Sequence, residues 1–159
     1  NFRKNSLRRN LFGYLKNKGV TVITATHDHN DMLPFADNVV VLKDRQIIAK
    51  NTPKNLYEHP NDLYIASLFG EANKIPINIV KSYADTKRRI IVYAHEFRVS
   101  QKSGLEVVVK RSFYKGGYYM IEGIYEDQKI YFNNPIALEP ERNVFLNISI
   151  ETINQRLNL

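Results

Sequence analysis

Cysteine is missing from all 159 residues. Its absence excludes disulfides, thiolate zinc sites and cysteine nucleophiles, and it fits a cytosolic protein. No apolar run approaches the roughly 20 residues that a membrane-crossing helix needs. The first nineteen residues are basic and hold neither an apolar h-region nor a small-residue cleavage site, so no secretory signal is read. Internal repeats and low-complexity segments are also lacking. Charge is not concentrated in one half. The formal net charge of +7 divides into ten Lys/Arg against six Asp/Glu up to Gly70 and thirteen against ten beyond it. Such an excess suits an anionic partner, whether nucleic acid, a phosphate-bearing ligand or a membrane surface, and equally suits an ordinary solvated basic surface. The dense basic clusters are Arg3-Lys4, Arg8-Arg9 and Lys87-Arg88-Arg89.

What is present suffices for a core, since 43% of the residues are hydrophobic. Leu7, Leu11, Tyr14 and Leu15 recur at three- and four-residue spacing, which predicts a helix that ends near Gly19 and packs through that stripe. Val20 to Thr26 is a β-branched run without polar alternation, the pattern of a strand covered on both faces in a parallel sheet. Asp28 is placed to cap a short helix running to Phe35. Asn38 to Lys43 and Gln46 to Lys50 read as a hairpin turning at Asp44-Arg45. Thr52-Pro53 sets a capping hydroxyl before a proline at the first helical position, so Pro53 to His59 is predicted helical. Asn61 or Asp62 caps a further helix, which Gly70 ends.

Near residue 70 the composition shifts to short alternating runs rich in Tyr, Ile and Val, and a domain boundary is placed at about Glu71 to Pro76. Strands are predicted at Ile77 to Ser82, Arg89 to Val99, Glu106 to Arg111, Tyr118 to Tyr125, Lys129 to Phe132 and Val144 to Ile150. Many short strands without intervening helices indicate a small barrel or sandwich.

The one dense polar cluster, His27-Asp28-His29-Asn30-Asp31, falls where a buried strand is predicted to give way to a helix, the place where α/β proteins put ligands. A histidine there is often no more than a surface or packing residue. His-x-His-x-Asp after a strand also matches the opening of a metallo-β-lactamase type motif. The next histidine of that pattern is replaced by Met32, which leaves His59 and His95 to complete any zinc site.

A longer match runs from Gly19-Val20-Thr21-Val22-Ile23 through Thr26-His27-Asp28 to Ala36-Asp37-Asn38-Val39-Val40-Val41-Leu42. It continues at Thr52-Pro53, Leu56-Tyr57, Pro60, Ala66 and Leu68-Phe69-Gly70-Glu71. These segments resemble the C-terminal part of the ATPase domain in the ATP-binding subunits of bacterial ABC-type importers. By that resemblance His27 is the switch histidine, the one catalytic residue, whose imidazole contacts the ATP γ-phosphate and helps orient the attacking water. Phosphoryl transfer depends mostly on positioning and charge stabilisation, and a neutral imidazole can donate to a phosphate oxygen. Asp28 is then local structure, while His29 and Asp31 face solvent. Asp44-Arg45 and Asn51 stand where glycine is usual in the family. The sequence holds no Gly-x-x-x-x-Gly-Lys-Ser/Thr loop, no signature segment and no Walker B acidic pair before His27. The resemblance thus implies that the nucleotide-binding loop lies outside this chain and that the chain alone neither binds nor hydrolyses ATP.

In the second half, Tyr93-Ala94-His95-Glu96-Phe97-Arg98-Val99 resembles the Arg-Pro-Glu stretch of the accessory domain of importer ATPases, matching at Glu96 and departing at Ala94 and His95. Phe113-Tyr114-Lys115-Gly116-Gly117 with the strands after it resembles the rest of that TOBE-type, OB-like domain. A competing reading makes Tyr114, Tyr118, Tyr119, Tyr125, Tyr131 and Phe132, with Lys110, Arg111 and Lys115, a stacking platform for single-stranded nucleic acid. Strand aromatics more commonly pack in cores.

The expected architecture is an α/β remnant of a P-loop ATPase domain over residues 1–72, followed by a small antiparallel TOBE-like β domain over 73–159. The resemblance implies ATP and Mg as cofactors of the full-length protein, with none held by this chain and no metal site. It implies transmembrane permease subunits and a second ATPase subunit as partners, with no nucleic acid, and a cytoplasmic location peripheral to the inner face of the cell membrane.

Overall fold

The computed structural model describes residues 2–77 and 88–157. The chain divides into two units, Asn1–Tyr57 and Glu58–Leu159. The first opens with helix α1, Phe2–Asn17. Its end is set by Gly19, which takes φ +67. Gly19 N–H donates to the Lys16 carbonyl at 3.0 Å and Val20 N–H to the Leu15 carbonyl at 3.0 Å, the paired bonds that satisfy terminal carbonyls when a glycine turns left-handed after a helix. Leu7, Leu11 and Tyr14 do not pack as the spacing predicts. They are exposed, and the half-buried face is that of Arg8, Phe12 and Leu15. Phe12 meets Phe35 with ring centroids 5.0 Å apart.

Residues 20–26 form no strand. A buried-strand composition becomes a strand only when neighbouring strands take up its backbone N–H and C=O groups. Among the described residues none lies beside this segment in a sheet. Helix α2, His29–Met32, is shorter than the run to Phe35 expected. Strands β1, Val39–Lys43, and β2, Gln46–Asn51, pair antiparallel around Asp44 and Arg45. Both turn residues have positive φ, 50 and 64 degrees, as a two-residue hairpin turn requires. Helix α3, Pro53–Glu58, starts where the sequence predicts, with Thr52 Oγ1 accepting from Asn55 N–H at 3.3 Å.

In the second unit, helix α4, Leu63–Ser67, is capped by Asp62, whose carboxylate accepts from Tyr64 N–H at 2.7 Å. Strand β3, Ala72–Pro76, then occupies the stretch read as a junction and pairs antiparallel with β4, Arg89–Tyr93. The strand expected at Ile77 to Ser82 lies, beyond Ile77, outside the described residues. The strand expected over Arg89 to Val99 is broken by a 3₁₀ turn at Ala94–Glu96, where the Glu96 carboxylate accepts from Tyr93 N–H at 2.8 Å.

Strands β5 (Phe97–Ser100), β6 (Leu105–Tyr114), β7 (Tyr119–Tyr125), β8 (Gln128–Asn134) and β9 (Asn143–Ile148) form one antiparallel sheet in the order β5-β9-β6-β7-β8. The alternation behind their prediction is the burial pattern observed. Leu105, Val107 and Val109 of β6, Ile121 of β7, Ile130 and Phe132 of β8 and Leu146 of β9 have no exposed surface. With Ile75, Ile90 and Val92 from the smaller sheet they make one core. Each such side chain contributes about 1.5–3 kcal/mol on burial.

Strand β9, expected to run on to Ile150, stops at Ile148 because Ser149 begins helix α5, Ile150–Leu157. Ser149 Oγ accepts from Thr152 N–H at 3.1 Å. Ile153 and Leu157 enter the core. Arg156, its side chain 3% exposed, reaches Glu96 Oε1 at 2.6 Å and the Ile91 carbonyl at 3.0 Å, donates to the Glu58 carbonyl, and lies over the Tyr93 ring. Among the described residues no helix is long and apolar enough to cross a membrane.

Candidate functional site

The polar cluster at 27–31 is organised by a capping interaction. Asp28 adopts an extended backbone ahead of α2, and its carboxylate accepts from Asn30 N–H at 2.9 Å and from Asn30 Nδ2 at 2.8 Å. Thr26 Oγ1 accepts from Asp28 N–H at 3.0 Å and donates to Asp31 Oδ2 at 2.9 Å. Arg8 of α1 completes the network, with Nε 2.5 Å from Asp31 Oδ1 and a terminal nitrogen 3.4 Å from Asp28 Oδ2. Asp31 is therefore no solvent-facing residue. Hydrogen bonds from Asn30, its backbone N–H above all, hold the Asp28 carboxyl below its ordinary value, with the charge of Arg8 adding to the effect.

His27 lies inside this ring of bonds in sequence and outside it in space. Its side chain is exposed, and among the described residues nothing hydrogen-bonds its ring. Thr26 and Asp28, on either side, are fixed to each other and to α2, so the histidine is presented at a rigid turn. An exposed neutral imidazole with two available ring nitrogens can donate to or accept from a ligand oxygen. His29 is exposed as well.

The metal-hydrolase reading finds no geometry to support it. Asp31, the third member of His-x-His-x-Asp, is turned toward Arg8 and Thr26. His59 Nδ1 is engaged with the Gln155 carbonyl at 3.1 Å, and His95 stacks on Tyr93. Among the described residues no three His, Asp or Glu side chains gather as a metal site.

The aromatic platform is likewise divided. Phe132 is fully buried, Tyr119 and Tyr125 pack against the core, and the Tyr131 hydroxyl donates to Glu122 Oε2 at 3.0 Å. That leaves Tyr114 and Tyr118 exposed, the former with its ring 5.2 Å from that of Tyr119. Lys110 is paired with Glu141 at 2.9 Å. A concavity of about 550 Å³ between β3, β4 and β8 is lined in part by Lys74, Arg89, Gln128 and Lys129, but Arg89 is held by Gln128 and Lys129 by Glu122.

Sequence reasoning missed two features. The Arg8 partnership with Asp31 spans 23 positions and leaves no local signal. The Ser149 cap did leave one, a serine followed by Glu151 in the first helical turn and by Ile153 and Leu157 at helical spacing.

No protein-family model matches the chain. Curated proteins do. A Fe(3+) ions import ATP-binding protein of Rhizobium etli is 40% identical over 62 residues, 39% of this chain and 18% of that protein. A protein of the same description from Pseudomonas fluorescens is 33% identical over 81 residues, 51% of this chain and 23% of its own length. A spermidine/putrescine import ATP-binding protein of Hahella chejuensis is 40% identical over 67 residues, 42% of this chain and 18% of that protein. The chain is thus partially homologous to the ATP-binding subunits of ABC importers, and it spans about a fifth of the length of these relatives.

Proposed function

We propose that this chain is the C-terminal portion of an ABC importer's ATP-binding subunit, which couples ATP hydrolysis to solute import. The observation that carries the reading is the identity of 33–40% to three import ATP-binding proteins over 62 to 81 residues. In this reading residues 1–72 are the end of a P-loop ATPase domain and 73–159 a TOBE-type, OB-like domain. The five-stranded antiparallel sheet is compatible with the second assignment.

His27 is the residue we assign to the reaction, as a hydrogen-bond partner of the ATP γ-phosphate. Its exposure and the rigid turn formed by Thr26 and Asp28 support that role. Bound ATP and Mg would supply the phosphoryl group and the neutralising charge. Asp28 and Asp31 are committed to Asn30, Arg8 and Thr26, and the sequence has no phosphate-cradling loop. On this reading the chain alone does not turn over ATP. Its partners are permease subunits and a second ATPase subunit, at the cytoplasmic face of the membrane.

The test is His27→Ala in the complete subunit, assembled with its permease. ATP turnover and transport are expected to be lost while thermal stability is unchanged, since the ring is exposed and among the described residues nothing hydrogen-bonds it. Retained ATP turnover would overturn the assignment.

A further inference from the structure

The Thr26 hydroxyl makes two bonds, and one of them spans His27. Its Oγ1 accepts from Asp28 N–H at 3.0 Å, closing a local turn around the histidine, and donates to Asp31 Oδ2 of α2 at 2.9 Å. Asp31 is held in turn by Arg8 Nε at 2.5 Å, with the Arg8 and Asp31 side chains only 14% and 15% exposed. A relay of bonds therefore runs from α1 to the backbone beside His27. The chemistry of a hydroxyl gives the relay a direction, because Thr26 has one proton to donate and lone pairs to accept with. The Asp31 carboxylate takes the proton in a charge-assisted bond, the stronger kind, which turns the lone pairs toward Asp28 N–H. The branched side chain also restricts rotation about χ1.

We propose that Thr26 is a positioning residue for His27. Its hydroxyl sets the direction in which the imidazole leaves the backbone, and Arg8, through Asp31, sets the hydroxyl. The inference rests on the reading of His27 as the γ-phosphate partner. A group in that role has to be held within about 0.5 Å of its working position by the bonds behind it, and a misplacement of about 1 Å can cost about a hundredfold in rate. Nothing in the relay touches the imidazole, so it acts through the His27 backbone alone, as a hydroxyl bonded to an N–H two residues on can. The Asp28 carboxylate serves a different end. It is engaged with the N–H and side chain of Asn30, downstream of the histidine, where it caps α2.

The test compares two variants of the complete subunit, assembled with its permease, alongside His27→Ala. Thr26→Val keeps the shape of the side chain and removes both bonds. Thr26→Ser keeps both bonds and removes the methyl. Nucleotide sites are titrated and turnover is expressed per bound ATP, so that a loss of folded protein does not pass for a loss of rate. Thr26→Val is expected to keep the parent's ATP stoichiometry and KM and to turn over about tenfold more slowly or worse. Thr26→Ser is expected to stay near the parent. If His27→Ala is inactive and Thr26→Val matches the parent per bound ATP, this inference is overturned and the function reading stands. Retained turnover in His27→Ala overturns both. A Thr26→Val variant that loses ATP binding in step with turnover assigns the hydroxyl to folding, and a Thr26→Ser variant as slow as Thr26→Val assigns the effect to the methyl; either result overturns the inference.

Discussion

The side chain of Asn73 stands in for a strand beside Tyr131. Its Nδ2 donates to the Tyr131 carbonyl at 2.7 Å and its Oδ1 accepts from Tyr131 N–H at 2.7 Å, so one amide reproduces both bonds of a ladder rung on the outer edge of β8. Nδ2 also lies 3.3 Å from the Val92 carbonyl of β4. Asn73 is 3% exposed, and it is the one buried polar or charged residue among those described. It ties the small sheet to the large one where no strand pairing does.

Replacing it tests that role. Asn73→Ala leaves the Tyr131 backbone N–H and C=O without partners and is expected to cost about 2–3 kcal/mol in urea unfolding, the penalty of unsatisfied buried groups. Asn73→Asp keeps the acceptor and sets a carboxylate against a carbonyl, so it should cost more. An alanine variant within about 0.5 kcal/mol of the parent would show that the edge is satisfied some other way.

Gly123 is required by a close approach. A Cβ built there would lie 2.2 Å from Val107 Cγ1 and 3.1 Å from the Val108 carbonyl. Overpacking of this kind costs about 1–3 kcal/mol. Gly123→Ala is expected to lower the thermal midpoint, and Val107→Ala to recover part of the loss when the two are combined. Equal, additive losses would mean that the two sites do not clash.

The Glu122–Tyr131 pair makes stability depend on pH at both ends. The Tyr131 hydroxyl, first, and then the charge of Lys129 hold Glu122 below its ordinary value of 4.5. A carboxylate whose value is lower in the folded state stabilises above the unfolded value and loses that contribution as pH falls through the folded one. Burial, first, and then Glu122 push Tyr131 above its ordinary 10.0, so its contribution is complete below that pH and is lost as pH rises through the higher folded value. Tyr131→Phe should therefore flatten the acid limb of a stability profile below pH 4.5 and reduce the alkaline one above pH 10, leaving the part due to Tyr125, which burial also pushes up. An unchanged acid limb would assign it to other carboxylates.

At the candidate site, Arg8→Met separates capping from charge. Asn30 is the main reason the Asp28 carboxyl titrates low and Arg8 a lesser one. In the variant, carboxyl-carbon NMR is expected to find Asp28 still below 3.8, with the denaturant midpoint reduced because Asp31 has lost its cation. Titration of Asp28 at its ordinary value would make Arg8 the cause instead.

Much of this molecule was written locally. Asp62, Thr52-Pro53 and the Asp28 cap act over two to four residues, so their helices begin where the sequence places them. The Asp44-Arg45 hairpin and the cores of β6 through β9 follow from a turn and from alternation. The Thr26-His27-Asp28 run, together with the matches around it, is sufficient to identify the importer resemblance that the curated relatives bear out over part of the chain.

What the sequence could not decide depends on groups far apart in the chain. Nothing near Asp31 announces Arg8, and nothing near Asn73 announces Tyr131, 58 positions away. Residues 20–26 show the same limit from the other side. Their composition specifies a strand, yet a strand exists only when other backbones take up its hydrogen bonds, and that is a property of neighbours and not of the segment. Sequence alone thus determined which stretches are suited to be helix, strand or turn, because those preferences are settled within a few residues. Only the tertiary structure decided which of them are paired, capped and buried, because those outcomes require partners brought together by the rest of the fold.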